Sequence, residues 1–73
     1  KKGEENAAEQ VKLGQKYLKE KDFQKAFSLF EEAAKQKNSD GILNLGFCYE
    51  NGHGVEKDLK KSFELIEQAA NMN

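Results

Sequence analysis

Leu13, Gly14 and Tyr17 recur thirty-two residues later as Leu45, Gly46 and Tyr49. A second block recurs at thirty-six residues, where Asp22, Lys25, Phe27, Leu29, Glu31, Ala33 and Ala34 return as Asp58, Lys61, Phe63, Leu65, Glu67, Ala69 and Ala70. A chain that repeats itself at this period folds as one helical hairpin used twice and stacked, the beginning of a solenoid. The change of offset inserts four residues between the two helices of the second copy and leaves each helix in phase. Arrays of this kind present surfaces for binding more often than they perform chemistry, so the repeat alone points to an interaction module.

Hydrophobic spacing predicts four helices and an all-α fold. The first runs from about Glu4 to Lys19, with Glu4, Glu5 and Glu9 near its positive end and Lys16 and Lys19 near its negative end. Asp22 is placed to cap a second helix from Phe23 to about Lys37, whose Phe23, Ala26, Phe27, Phe30, Ala33 and Ala34 share one face. Asn38, Ser39 and Asp40 cap a third, from about Gly41 to Glu50, with Ile42, Leu45, Gly46 and Tyr49 as its core stripe. Asn51-Gly52-His53-Gly54 then forms a solvent-facing loop in which Gly52 and Gly54 supply positive φ. Asp58 caps the fourth helix, whose core stripe is Leu59, Phe63, Ile66, Ala69 and Ala70, with Ser62 where the first copy has Ala26.

Gly14 and Gly46 sit inside helices, where each costs roughly 0.5–1 kcal/mol relative to alanine. Their matched placement calls for a compensating close approach, of Phe30 to Gly14 and of Ile66 to Gly46. Gly41 lies in a first turn, where alanine is expected to be benign.

These residues resemble two related families. The first copy resembles a tetratricopeptide repeat through Leu13, Gly14, Tyr17, Ala26, Phe30 and Ala33, although Gln10 and Asn38 stand where that family has tryptophan and proline. The second resembles a Sel1-like repeat through Leu45-Gly46, Tyr49, Asn51-Gly52, Gly54-Val55, Asp58, Lys61 and Ala69-Ala70, departing from it at Ser62. The resemblance implies an α/α solenoid fragment of two antiparallel hairpins that serves as an adaptor or scaffold without catalytic activity. Its divisions are residues 1–6 as a flank and helix start, 7–38 as the tetratricopeptide-like hairpin and 39–73 as the Sel1-like hairpin.

In both families one side of the first helix of each pair lines a concave groove. At 100° per residue, Leu43, Phe47 and Glu50 form a second stripe on the third helix, and Val11, Gln15 and Leu18 form the matching stripe on the first. These six are the candidate residues for a protein or peptide partner. Packing of Leu43 and Phe47 between hairpins, or against a neighbouring repeat, is the competing reading. Clamping of a terminal carboxylate, as some tetratricopeptide repeats do, is disfavoured because, of the corresponding Val11, Lys12, Gln15, Asp40 and Asn44, only Lys12 and Gln15 partly imitate that chemistry and Asp40 would repel a carboxylate.

Composition narrows the function further. With 12 basic and 13 acidic residues the net charge is −1, which gives no general attraction to nucleic acid or anionic lipid. Lys57, Lys60 and Lys61 are offset by Glu56, Asp58 and Glu64. No apolar run is long enough for a membrane span, and no targeting segment is evident, so the compartment stays open. The chain begins Lys1-Lys2 without an initiator methionine and reads as a piece of something longer. Cys48 is the sole thiol and His53 the sole imidazole, too few for a zinc site, and neither has partners for catalysis. No metal, cofactor or enzymatic activity is expected. A structural or oligomerisation role is the alternative to partner binding, because two hairpins fall short of the roughly three repeats that usually stand alone.

Overall fold

A computed structural model describes residues 6–72. Four helices follow one another: α1 (Ala7–Lys19), α2 (Phe23–Lys35), α3 (Ser39–Asn51) and α4 (Leu59–Asn71), each of 13 residues. α3 begins and ends thirty-two residues after α1, and α4 thirty-six after α2, so the two sequence offsets are the two offsets of the fold. α1 packs with α2, α3 with α4, and α2 with α3, while α1 touches α3 more lightly. The helices therefore make an all-α fragment of two stacked hairpins.

Local chemistry sets where each helix begins. Asn6 accepts the Ala8 N–H at 2.8 Å, and Asn38, thirty-two residues on, accepts the Gly41 N–H at 2.9 Å. α1 thus opens at Ala7, later than the acidic run suggests; Glu4 and Glu5 lie outside the described residues. Asp58 caps α4 by accepting the Lys61 N–H at 3.1 Å. Asp22 holds the corresponding place on α2 without a side-chain cap bond and instead lies 3.7 Å from the Lys25 ammonium. α2 stops at Lys35, earlier than predicted, because Lys37 adopts a left-handed conformation and the Asn38 N–H turns back to the Ala33 carbonyl.

The core is Val11, Ala26, Phe30, Ala33, Leu45 and Cys48, drawn from three helices. Phe30 is wholly buried, a burial that contributes roughly 1.5–3 kcal/mol. A Cβ at Gly14 would lie 2.6 Å from Phe30 Cε1, and one at Gly46 would lie 2.9 Å from Ile66 Cγ1 and 3.2 Å from the Ser62 carbonyl oxygen. These contacts explain why the Leu-Gly frame recurs: the partner helix occupies the space a side chain would need.

Two expectations fail. Gly41 is not a permissive first-turn position, since a Cβ there would lie 2.6 Å from Ala33 Cβ and 3.1 Å from the α2 backbone. Leu59 and Phe63 are not core; they are 60% and 70% exposed, and Ala70 is exposed beside them, because none of the described residues covers that side of α4. Leu13 is half-exposed at 41%, whereas its counterpart Leu45 is buried at 8% against α2. Periodicity identifies an apolar stripe; it does not say whether a neighbour covers it.

Candidate partner-binding surface

The four-residue insertion leaves the hairpin geometry intact. In the first copy the Asp22 N–H donates to the Tyr17 carbonyl at 2.8 Å; in the second the Asp58 N–H donates to the Tyr49 carbonyl at 2.9 Å. These are equivalent residues, so the inserted segment leaves the hairpin and returns to the same closing bond. Gly52 and Gly54, at φ 71° and 76°, make the excursion possible. On the way it crosses to the other hairpin. His53 stacks on Phe23 with ring centroids 4.1 Å apart and planes 5° from parallel, and Val55 packs against the core. A Cβ on Gly54 would lie 2.4 Å from the Phe23 carbonyl oxygen and 2.8 Å from Phe27 Cβ. The loop is therefore a strap between hairpins, and His53 is a half-buried packing residue where a solvent-facing one was expected. A glycine, an aromatic-like ring and a glycine in succession carried that signal, but its target on α2 is visible only in three dimensions.

The six candidate residues divide. Val11 is 6% exposed and belongs to the core, so it leaves the surface strip. Leu18 is half-buried and packs against the same core. Leu43 is half-buried, whereas Gln15 and Glu50 are exposed. Phe47 is 41% exposed on α3, a large ring kept partly in water. Gln15 and Leu18 thus sit on α1, and Leu43, Phe47 and Glu50 on α3, two helices in contact. The polar neighbours are held to their own helix: the Asn44 amide donates to the Asp40 carbonyl at 2.8 Å and the Asn51 amide to the Phe47 carbonyl at 3.0 Å.

The contact of α3 with α2 uses other residues. Gly41, Leu45 and Cys48 are all buried, at i, i+4 and i+7. Their small-large-small pattern was present in the sequence, where Cys48 reads as a small apolar residue facing the adjoining hairpin and Gly41 only as a helix start. Burial pushes the Cys48 thiol from 9.0 up to about 11, so it is neutral and poorly nucleophilic near neutral pH. Elsewhere, Gln36 donates across the first hairpin to Gln10 at 2.8 Å. A cleft of about 390 Å³ lies between α1 and α2, lined by Leu13, Tyr17, Lys25 and Leu29 among others. Among the described residues no helix is long and apolar enough to cross a membrane.

A family model described as Sel1 repeat matches residues 10–38 and again residues 39–73. The chain belongs to the Sel1 repeat family. Both hairpins are matched, the first with its tight turn and the second with its strap. Over 53 residues the chain is 47% identical to a Helicobacter pylori (strain J99) protein named "Putative beta-lactamase HcpC", covering 73% of this chain and 18% of that protein. Over 56 residues it is 39% identical to the Candida glabrata protein named "ERAD-associated E3 ubiquitin-protein ligase component HRD3", covering 77% of this chain and 6% of that protein. The chain thus spans less than a fifth of the length of either relative. As a pair of Sel1 repeats it is a helical module for protein–protein interaction.

Proposed function

We propose that this Sel1 pair binds a segment of a partner protein along the α1–α3 side, with Phe47 as the anchor. Leu43 and Leu18 flank it with their exposed edges, and Gln15 and Glu50 orient the segment by hydrogen bonds. The observation that carries this reading is the exposure of Phe47 at a position the fold does not require to be apolar. Its counterpart in the first copy is Gln15, which is exposed and polar. Packing between hairpins falls to Gly41, Leu45 and Cys48 instead, which weakens the view that Phe47 belongs to an inter-repeat core.

Catalysis is the less supported alternative. The activity in the HcpC name is that protein's own, whereas here the thiol of Cys48 is buried and its pKa raised to about 11, and the imidazole of His53 is stacked on Phe23. HRD3 is named as a component of a ligase, which fits a module working within a complex.

Selection from a displayed random-peptide library tests the proposal. Peptides enriched on the parent should bind Phe47→Ser at least tenfold more weakly, since truncating an aromatic anchor costs about 2 kcal/mol or more. Phe63→Ser, which removes a more exposed ring elsewhere, should bind them normally. Both variants should keep the parent's circular dichroism and melting midpoint. Equal binding by Phe47→Ser and the parent moves the site off this strip, and unfolding of Phe47→Ser returns the ring to the core.

A further inference from the structure

Two asparagines of α3 are held alike and followed by unlike residues. The Asn44 amide donates to the Asp40 carbonyl at 2.8 Å and precedes Leu45; the Asn51 amide donates to the Phe47 carbonyl at 3.0 Å and precedes Gly52. The difference matters because an asparagine side chain can react with the backbone nitrogen of the next residue. A leucine side chain shields that nitrogen. Glycine leaves it open and gives the chain the freedom to bring the nitrogen onto the side-chain carbon. Asn51-Gly52 is the only Asn-Gly pair in the chain.

The fold holds this pair apart. Asn51 is the last residue of α3, and helical backbone there keeps the Gly52 nitrogen away from the carbon it would attack. The Gly52 N–H donates to the Cys48 carbonyl, which also receives the His53 N–H at 2.9 Å. Asn51 is exposed, so water reaches it and order alone protects it. That order comes from the strap. Gly52, at φ 71°, leads directly into His53, which lies flat on Phe23 of α2, and then into Gly54, packed against the Phe23 carbonyl. While those contacts hold, the last turn of α3 is fixed; when the strap lifts, the two hydrogen bonds to Cys48 are free to break.

We propose that Asn51 is a self-modification site gated by the strap. In the lifted state the Gly52 backbone nitrogen attacks Asn51 Cγ. The N–Cγ bond forms, the Cγ–Nδ2 bond breaks, and the Gly52 amide proton passes through water to the departing group, which leaves as ammonia. Water then opens one of the two carbonyls of the resulting succinimide, leaving aspartate or isoaspartate at position 51. Neither product can donate to the Phe47 carbonyl, and each sets a carboxylate beside Glu50 at the negative end of α3. Isoaspartate also lengthens the main chain just ahead of Gly52, which takes the strap out of register with Cys48. A transient opening is thereby converted into a lasting one.

Peptide mapping by mass spectrometry tests this by following the exchange of nitrogen for oxygen at position 51 in mildly alkaline buffer. The folded parent should react about tenfold or more slowly than a peptide spanning residues 44–60, since only the open population reacts. His53→Ala, which removes the stack, should react about two- to fivefold faster than the parent. Val11→Ala, which weakens the core from α1, should melt lower yet react at the parent's rate. Asn51→Gln should show no reaction, because glutamine needs a larger ring, and Asn44 should stay intact throughout. Asn51→Asp, standing for the product, should melt about 3–5 °C below the parent. The proposal is overturned if the folded parent reacts as fast as the peptide, if His53→Ala leaves the rate unchanged, or if Asn51→Asp melts with the parent. It is overturned as well if Val11→Ala speeds the reaction as much as His53→Ala does, because global unfolding would then be the gate.

Discussion

The two hairpins close on the same hydrogen bond by different routes. Between α1 and α2 the chain turns in three residues, with Lys21 in a left-handed conformation at φ 64°. Between α3 and α4 it takes seven residues, reaches across to α2 and comes back. The helices gain nothing from the longer route, because Asp22 and Asp58 end in equivalent places. What the second hairpin gains is a grip on its neighbour. The insertion is therefore a device between repeats, and the first hairpin, whose turn is short, has no such grip on anything before it.

Disrupting the strap should give the largest effect. Gly54→Val adds a branched side chain at φ 76°, against a carbonyl oxygen and Phe27 Cβ. Left-handed strain of roughly 1–2 kcal/mol and overpacking of roughly 1–3 kcal/mol combine there, so urea unfolding should show a loss of about 3 kcal/mol. Gly52→Ala is the control. It has a similar φ of 71° but no neighbour closer than 3.6 Å, so it should lose only the conformational part. Equal losses in the two variants would show that strain within the loop, and not docking on α2, governs stability.

Gly41→Ala separates the hairpins at the other end of the α2–α3 contact. The added Cβ meets backbone atoms of α2, which cannot swing aside as a side chain tip can. A cost of about 1–2 kcal/mol is expected after helix propensity returns a part, lowering the melting midpoint by roughly 5–10 °C. Glu9→Ala, the matching change on the open face of α1, should be neutral. A stable Gly41→Ala protein would mean that α2 and α3 can move apart at little cost.

How legible all this was in the sequence depends on whether a feature is local or relational. The four helices, the caps at Asn38 and Asp58, and the glycine-backed contacts of Gly14 with Phe30 and Gly46 with Ile66 follow from spacing within one hairpin, and a repeated frame makes such spacing hard to misread. Leu59 and Phe63 were placed in the core because they lie on an apolar stripe; their exposure depends on a neighbour, and periodicity carries no information about neighbours. His53 failed for the same reason in the opposite direction. A polar ring between glycines reads as a loop tip until the partner ring on another helix is known. Of the candidate surface, Val11 was lost to the core because a stripe set 100° from the main one still borders it.

The His53 stack tests whether the strap grips through its ring as well as its backbone. Aromatic pairs contribute roughly 0.5–1.5 kcal/mol beyond area burial, and this one is partly in water, so His53→Ala should cost about 0.5–1 kcal/mol. Phe23→Ala should cost somewhat more, and the double variant should show coupling between the two positions. Strictly additive losses would reduce the stack to coincidence and leave Gly54 as the whole of the docking. His53→Phe should keep or raise the parent's stability if stacking is what matters.

The smallest effect should come from the short turn, and it should carry the opposite sign. α1 ends with the Asp22 N–H on the Tyr17 carbonyl and the Lys21 N–H on the Leu18 carbonyl, which forces Lys21 into the left-handed region where glycine normally sits. α3 ends with Gly52 in that role. Lys21→Gly removes roughly 1–2 kcal/mol of strain but adds freedom to the unfolded chain worth roughly 0.5–1 kcal/mol, so a net gain of about 0.5 kcal/mol is expected. Chemical denaturation of paired samples resolves a difference of that size when the slope with urea is unchanged. The same substitution at Lys37, φ 62°, joins the hairpins and should give a similar gain, because both turns end their helices with the same reversed bonds. A loss at Lys21 with a gain at Lys37 would mean that the Lys21 side chain contributes more to the turn than its backbone strain takes away, and the two connections would then differ in chemistry as well as in length.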